Sequence, residues 1–500
     1  MKIFTSAQIK ACDAYTIHAS RIQSIDLMER AATKCVNWLK GHFAKDTLFV
    51  VLCGTGNNGG DGLAIARLLH TRGFGVKAFL LNFSEQLSGD CMSNLRMLQS
   101  MGQELITVVQ PETFITDIPP HIVIIDAILG TGLNRPMQGW VADFIKHIDQ
   151  LPNRKVAIDV PSGLPADIIP DNEAAVLKVQ DTLSFQFYKR SFLHPEAGVL
   201  AGNIHLLDIG LDKTFIDATH TQYNCLDKEQ ITTIYKPRLP FSHKGTYGSV
   251  LMVGGSYGKM GAMTLSAKAA LRAGAGLVSA LVPAYGYHIL QTAVPEVMCS
   301  TSGEKTLDAI TGWEKMKAIG IGPGMGTDAA TVKAFTAFID TCRQPIVVDA
   351  DALNIIAMYP ELMAKLPKDS VLTPHPKEFT RLFGENTNSM IQLDNARIQA
   401  MRYNINIVLK GHHTAIITTE GECWYNMTGN AGMATGGAGD VLTGIITGLL
   451  AQGYAPHHAA MLGVYLHGLA GDIAAKELSQ EALIAGDIID NLGKAFLSLG

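Results

Sequence analysis

"LFVVLCGTGNNGGDGLAIARLLH", residues 48–70, decides how the first part of the chain is read. An apolar run rich in β-branched residues ends at Cys53, passes through "GTGNNGGDG", and enters a segment whose apolar residues recur at helical spacing. A strand that is apolar on both faces and leads through glycines into a helix belongs to a parallel sheet covered on both sides, with ligands at its carboxyl edge. The runs "VKAFLL" (76–81), "HIVIID" (121–126) and "KVAIDV" (155–160) repeat the pattern between helical segments such as "VADFIKHIDQL". "DTLSFQF" (181–187) and "GNIHLLDIG" (202–210) read as closing strands. The fold expected for residues 1–215 is a Rossmann-like, doubly wound α/β sheet.

The rhythm is lost after Leu211, and Pro237 and Pro240 interrupt a polar stretch, so residues 216–240 are expected to be a linker. A second α/β series occupies 241–500. Its strands are "SVLMVG" (249–254), "GLVSALVP" (276–283), "AIGIG" (318–322), "PIVVDA" (345–350), "SVLTP" (370–374) and "INIVLKG" (405–411). No repeat period relates the halves, which points to two fused domains and not an array.

With 500 residues, 47% hydrophobic and 17% charged, the chain can bury more than one core. A net charge of −5 without a basic run gives no signal for nucleic acid or an anionic membrane, so small molecules are the expected partners. The eight cysteines form no CxxC pair, which argues against structural zinc and for a reducing compartment. The first twenty residues lack the apolar core of a secretory signal, and a cytoplasmic location is expected. Residues 441–471 carry no Asp, Glu, Lys or Arg, but His457, His458 and Pro456 interrupt them, and they read as buried helices.

Three acids follow strands in the first half: Asp61 in "NNGGDG", Asp126 in "IIDAILGTGL" and Asp159 in "AIDVPSGLPAD". If the strands are neighbours, Asn58, Asp126, Asp159 and Ser162 converge on an oxygen-rich pocket, a donor set suited to a weakly charged hard cation. Capping of the following turns is the competing role for each acid alone.

These motifs resemble the epimerase domain of the bifunctional NAD(P)H-hydrate repair enzymes, over most of 1–215. The resemblance implies that Asp159 transfers the proton and that potassium is held near Asn58, Asp126 and Ser162. It also implies that the hydrate is held by Asn57, Asn58, Gly59, Gly60 and Asp61 and by the turn Gly130, Thr131, Gly132, Leu133, Asn134, Arg135 and Pro136. Inverting a hemiaminal-like carbon requires a carboxylate of suitable pKa and no redox step.

In the second half, "GGSYGKMGAMTLSAKAALRAGAG" (254–276), "GPGMG" (322–326), "DADALN" (349–354), "LTPHPKEF" (372–379), "VLKGHHTAI" (408–416) and "GNAGMATGGAGDVLTG" (429–444) adjoin the strands. A glycine loop entering a helix offers backbone N–H groups to phosphate, and without a GxxxxGK[ST] loop these and the helix dipole must hold it. Asp440 then belongs to the side of the acceptor hydroxyl. "GAGD" before an apolar helix resembles ribokinase-like phosphotransferases, and the ordered clusters narrow the resemblance to the ADP- or ATP-dependent NAD(P)H-hydrate dehydratases.

That resemblance implies contacts from Ala262, Gly324 and His375 to the hydrate, from Asp440 to its hydroxyl, and from Lys410, Gly411, His412, His413, Thr414 and Gly439 to the nucleotide. It implies ADP or ATP as co-substrate with Mg2+, NADHX and NADPHX (the hydrates of NADH and NADPH) as substrates, and a homo-oligomer through the C-terminal domain. Lys377 and Ala431 stand where that family more often has Gly and Pro. The alternative reading is a ribokinase-like kinase of a vitamin-type alcohol whose N-terminal domain is a non-catalytic ligand-binding or scaffold domain.

Overall fold

A computed structural model describes all residues except 85, 112–116 and 134. The chain forms two compact units: Lys2–Thr221 with Asn388–Met390, and Met1 with Gln222–Thr387 and Ile391–Gly500.

The first unit is built on strands β1 (Leu48–Cys53), β2 (Gly75–Leu81), β3 (Ile106–Val109), β4 (Val123–Ala127), β5 (Lys155–Ile158), β6 (Asp181–Phe185) and β7 (Asn203–Leu207). They lie in the order β3-β2-β1-β4-β5-β6-β7, every pair parallel. The order reverses between β1 and β4, so the crevice at their carboxyl ends is the switch point where such sheets bind ligands. The β1, β4 and β5 side chains from Val51 to Ile158 are almost wholly buried, as continuous apolar strands must be when helices cover both faces. β3 escaped the sequence reading because "ITVV" is short and two of its four residues are exposed.

The second unit carries β8 (Tyr223–Leu226), β9 (Ser249–Val253), β10 (Leu277–Val282), β11 (Met298–Thr301), β12 (Ala318–Ile321), β13 (Val347–Val348), β14 (Val371–Leu372), β15 (Asn406–Leu409), β16 (Ala415–Ile417) and β17 (Cys423–Asn426). Their order is β11-β10-β9-β12-β13-β14-β15-β16-β17-β8, parallel from β11 to β15 and antiparallel through β16 and β17. β8 pairs in parallel with β17.

That pairing corrects the expected linker. Residues 216–240 contain β8 and the helix Lys228–Ile234, and Cys225, Leu226 and Ile231 are buried. The polar surroundings and prolines concealed a strand whose partner lies almost two hundred residues later. The uncharged stretch 441–471 forms parts of two helices, Ala438–Ala451 and Pro456–Leu478, in the core of this unit. Gly444 lets the first of them approach helix Met260–Arg272, since a Cβ there would lie 2.1 Å from the Ser266 carbonyl oxygen. Among the described residues, no helix is long and apolar enough to cross a membrane.

Candidate functional sites, one in each unit

In the first unit, "NNGGD" is not a loop: helix Asn57–Thr71 starts directly after the turn that ends β1. Gly59 permits this, because a Cβ there would sit 1.8 Å from the Gly54 carbonyl oxygen. Asn57, Asn58 and Asp61, spaced three and four apart, share one helical face. They line a cavity of about 770 Å³ with Gly130, Thr131, Gly132, Leu133 and Asp159. Gly59 and Gly60, expected as substrate contacts, pack beneath this wall, Gly60 against Met28 and Cys91. Arg135 and Pro136 fall outside the wall, and Asn134 lies outside the described residues.

Asp126, at the end of β4, is fully buried and organises the floor. Its Oδ1 accepts the Ser162 hydroxyl at 2.5 Å and the Ile128 N–H at 3.2 Å, and its Oδ2 accepts the Ser162 N–H at 2.7 Å. Burial raises its pKa to about 6, the hydrogen bonds from Ser162 and Ile128 limiting the rise. Ser162 Oγ in turn accepts the Leu129 N–H at 2.9 Å. The Asn58 amide donates to the carbonyls of Leu129 at 2.8 Å and Ile158 at 3.2 Å, while its Oδ1 is buried without a hydrogen-bond partner. A buried acceptor left unpaired is costly, and an amide oxygen is a donor type that suits a weakly charged hard cation.

Asp159 follows β5 with φ of +64°, a left-handed conformation that costs a non-glycine residue about 1–3 kcal/mol and recurs at functional positions. Lys189, which the sequence reading did not single out, places its ammonium 2.7 Å from Asp159 Oδ1 with its side chain wholly buried. It also donates to Ser184 Oγ at 2.9 Å. Two further acids share the cavity. Burial, then the charges of Asp159, Asp13 and Asp90, raise the Asp61 pKa well above its ordinary value. Burial and then Asp159 raise that of Asp13 to about 7, against the pull of Lys189.

In the second unit, Gly324, Asp349, His375 and Lys410 follow β12, β13, β14 and β15, four neighbours in the sheet, so they form a row along its carboxyl edge. Helix Ala438–Ala451 starts over this row, with Gly437 at φ of +92° before it and Asp440 in its first turn. Asp349 is buried, accepting the Lys410 ammonium at 2.9 Å and the Thr443 hydroxyl at 2.6 Å. A Cβ on Gly439 would lie 3.3 Å from Lys410 Nζ, which places the glycine against that cation. Burial lowers the Lys410 pKa, but Asp349, Glu378 and Asp440 outweigh it and the net shift is upward.

The pKa of Asp440 is raised to about 7, chiefly by burial and then by Asp349, with Lys410 opposing. Such a carboxylate is matched to general-base work near neutral pH. His375 caps helix Pro376–Phe383: its Nδ1 accepts the N–H groups of Lys377 at 3.1 Å and Glu378 at 3.2 Å. The ring proton therefore resides on Nε2, which faces Glu378 Oε1 at 3.5 Å. Gly324 and Ala262 adjoin, a Cβ on the glycine reaching within 3.3 Å of the Ala262 methyl. Gly411 and Thr414 close a turn through the Thr414 hydroxyl, and His413 is held neutral, its pKa lowered to about 4 by burial and then by His412. Asp349, Thr443 and Glu378 were not assigned from the sequence. "DADALN" drew attention to Asp349 without revealing its partners.

Residues 250–494 match the family model described as NAD(P)H-hydrate dehydratase, and residues 24–191 match that described as YjeF-related protein N-terminus. The chain is 38% identical to the bifunctional NAD(P)H-hydrate repair enzyme Nnr of Moorella thermoacetica, over 98% of this chain and 96% of that one. It is 34% identical to the Escherichia coli enzyme of the same name, over 93% and 88% respectively. The ADP/ATP-dependent NAD(P)H-hydrate dehydratase of Bacillus subtilis, co-crystallised with ATP/Mg2+, is 32% identical with a TM-score of 0.50, covering 55% of this chain and 99% of its own. With both halves matched in order, and relatives aligned over nearly their full length, the chain belongs to the bifunctional NAD(P)H-hydrate repair enzymes.

Proposed function

We propose that the chain restores hydrated NADH and NADPH in two steps, one in each unit. The first unit interconverts the R and S hydrates. The second dehydrates the S hydrate with ADP, releasing AMP and phosphate. The observation that carries this reading is Asp440 in the first turn of a glycine-led helix over the Asp349–Lys410 pair.

In the dehydratase site, Asp440 takes the C6 hydroxyl proton as that oxygen attacks the terminal phosphorus of ADP and AMP departs. The C6–O bond then breaks, phosphate leaving with the electron pair while the N1 lone pair forms the C6–N1 double bond. Loss of the C5 proton restores the dihydropyridine. Backbone N–H groups at the helix start hold the transferred phosphoryl group. Lys410, Gly411, His412, His413, Thr414 and Gly439 face the nucleotide, and His375, Ala262 and Gly324 face the hydrate. Mg2+ would accompany the nucleotide and neutralise phosphate charge, and the strand-end Asp349 is the type of donor it takes.

In the epimerase site, Asp159 moves the proton at the hemiaminal centre, held by Lys189. Asn57, Asn58, Asp61 and the 130–133 turn surround the substrate. The unpaired Asn58 Oδ1, Asp126 and Ser162 would hold K+, which would order the floor and offset its acidic charge. The cytoplasm holds the coenzyme pools and keeps thiols reduced, consistent with eight free cysteines. Exposed apolar side chains such as Ile484 and Leu497 are available for self-association through the C-terminal unit, which light scattering reads directly.

Incubating the full chain with mixed R and S hydrates and ADP tests the reading. Complete recovery of NADH absorbance with equimolar AMP is expected. A phosphorylated alcohol that persists would overturn it in favour of an ordinary kinase.

A further inference from the structure

Helix Ser6–Ser20 forms one wall of the first cavity through Ser6, Ile9, Lys10 and Asp13, which are spaced three, four and seven apart and so share a face. Asp13 is the one acid on this stripe. Its carboxylate makes no hydrogen bond or ion pair with any described residue, although it is half-buried and faces the carboxylates of Asp61 and Asp159. A carboxylate placed beside like charges without a partner destabilises the fold, and that arrangement is characteristic of groups retained for chemistry.

We propose that Asp13 is a second catalytic residue of the epimerase site, the acid that protonates N1 of the hydrated ring while Asp159 receives the hydroxyl proton. This rests on the epimerase reading of the first unit. Asp159, paired with the Lys189 ammonium, takes the C6 hydroxyl proton. The O–H electron pair forms the C6–O double bond, and the C6–N1 bond breaks with its pair passing to N1, which takes the Asp13 proton. The ring-opened aldehyde turns about C5–C6. N1 then attacks the other face, its proton returns to Asp13, and Asp159 returns its proton to oxygen. No electron or proton is gained or lost overall, so no oxidant or reductant is needed.

The groups facing Asp13 define its titration: Asp61 on helix Asn57–Thr71, Asp159 after β5, Lys189 beyond β6, Asp167 in the wall, and Lys10 on its own helix. Burial and Asp159 place its pKa at about 7, so the acid is lost as pH rises through that value.

The test measures R-to-S exchange by chromatography, without ADP, in the full chain and in Asp13→Asn and Asp13→Glu. Exchange is expected to fall at least ~100-fold in Asp13→Asn. The wild-type decline in rate above about pH 7 is expected to disappear in the residual activity, and Asp13→Glu to restore part of the rate. ADP-dependent dehydration of the S hydrate, carried by the other unit, should be unchanged, and a wild-type urea-unfolding profile reports that the first unit of the variant is folded. Asp13→Asn exchanging near the wild-type rate with the same alkaline decline overturns this inference alone. A wild-type chain that does not exchange the epimers overturns the epimerase reading and this inference with it.

Discussion

The Lys189 ammonium lies 2.7 Å from Asp159 Oδ1, and the lysine side chain has no solvent exposure. A buried cation bonded to a strand-end carboxylate fixes the position of that carboxylate in the cavity.

Lys189→Met removes this partner and leaves Asp159 facing Asp61 and Asp13 alone. Breaking a buried pair on one side costs about 3–5 kcal/mol. Urea unfolding should show a loss of that size, and epimer exchange should fall with it. A stable variant that exchanges epimers at the wild-type rate would mean the pair neither holds the fold nor serves the site.

Asp440→Asn and Asp159→Asn should separate the two activities. The first is expected to lose ADP-dependent NADH recovery ~10²–10⁴-fold while epimer exchange persists, and the second to show the reverse. Loss of both activities in either folded variant would contradict the division between units.

Dehydration should rise as pH passes through about 7, because burial and Asp349 raise the Asp440 pKa to that value and the base acts ionised. Asp349→Asn removes a neighbouring negative charge and frees Lys410, so the inflection should move to lower pH. The sign for stability is opposite to that of a salt-bridged acid. A raised folded pKa means that the folded state keeps its proton between the unfolded value and about 7, so stability falls as pH rises through this window. Asp440→Asn should therefore stabilise the chain more at pH ~8 than at pH ~5 by thermal unfolding.

Epimer exchange should depend on potassium through the unpaired Asn58 Oδ1. Titrating KCl against choline chloride at constant ionic strength should give a saturable activation in wild type that Asn58→Leu abolishes. Equal rates in choline would rule out a cation role for Asn58, Asp126 and Ser162.

A fragment starting at residue 241 should be less stable than one starting at residue 220. It lacks β8 and the buried Cys225, Leu226 and Ile231, a loss on the order of 5 kcal/mol. Guanidinium melts of the two fragments provide the comparison.

Local chemistry was legible in the chain itself. Apolar runs ending in glycine or an acid marked β1, β4, β5, β9, β10 and β12, because a covered parallel strand must be apolar and its carboxyl end must turn. Asp126, Asp159 and Asp440 stand out for the same reason: a carboxylate directly after an apolar strand or at the first turn of an apolar helix conflicts with its neighbours in sequence. The short β3, β8, β11, β16 and β17 carry weak local signals, and their partners in the sheet make them strands.

The sequence by itself determined two α/β halves and the acids at their strand ends, since hydrophobic period and glycine position act over a few residues. Tertiary structure decided which groups those acids meet. Lys189, beyond β6, reaches Asp159 after the neighbouring β5, and Lys410 and Thr443 reach Asp349 across separations of 61 and 94 residues. Asp13 enters the cavity from a helix that precedes the first strand. Charge, burial and protonation depend on distance in space, and only the folded sheet order sets those distances.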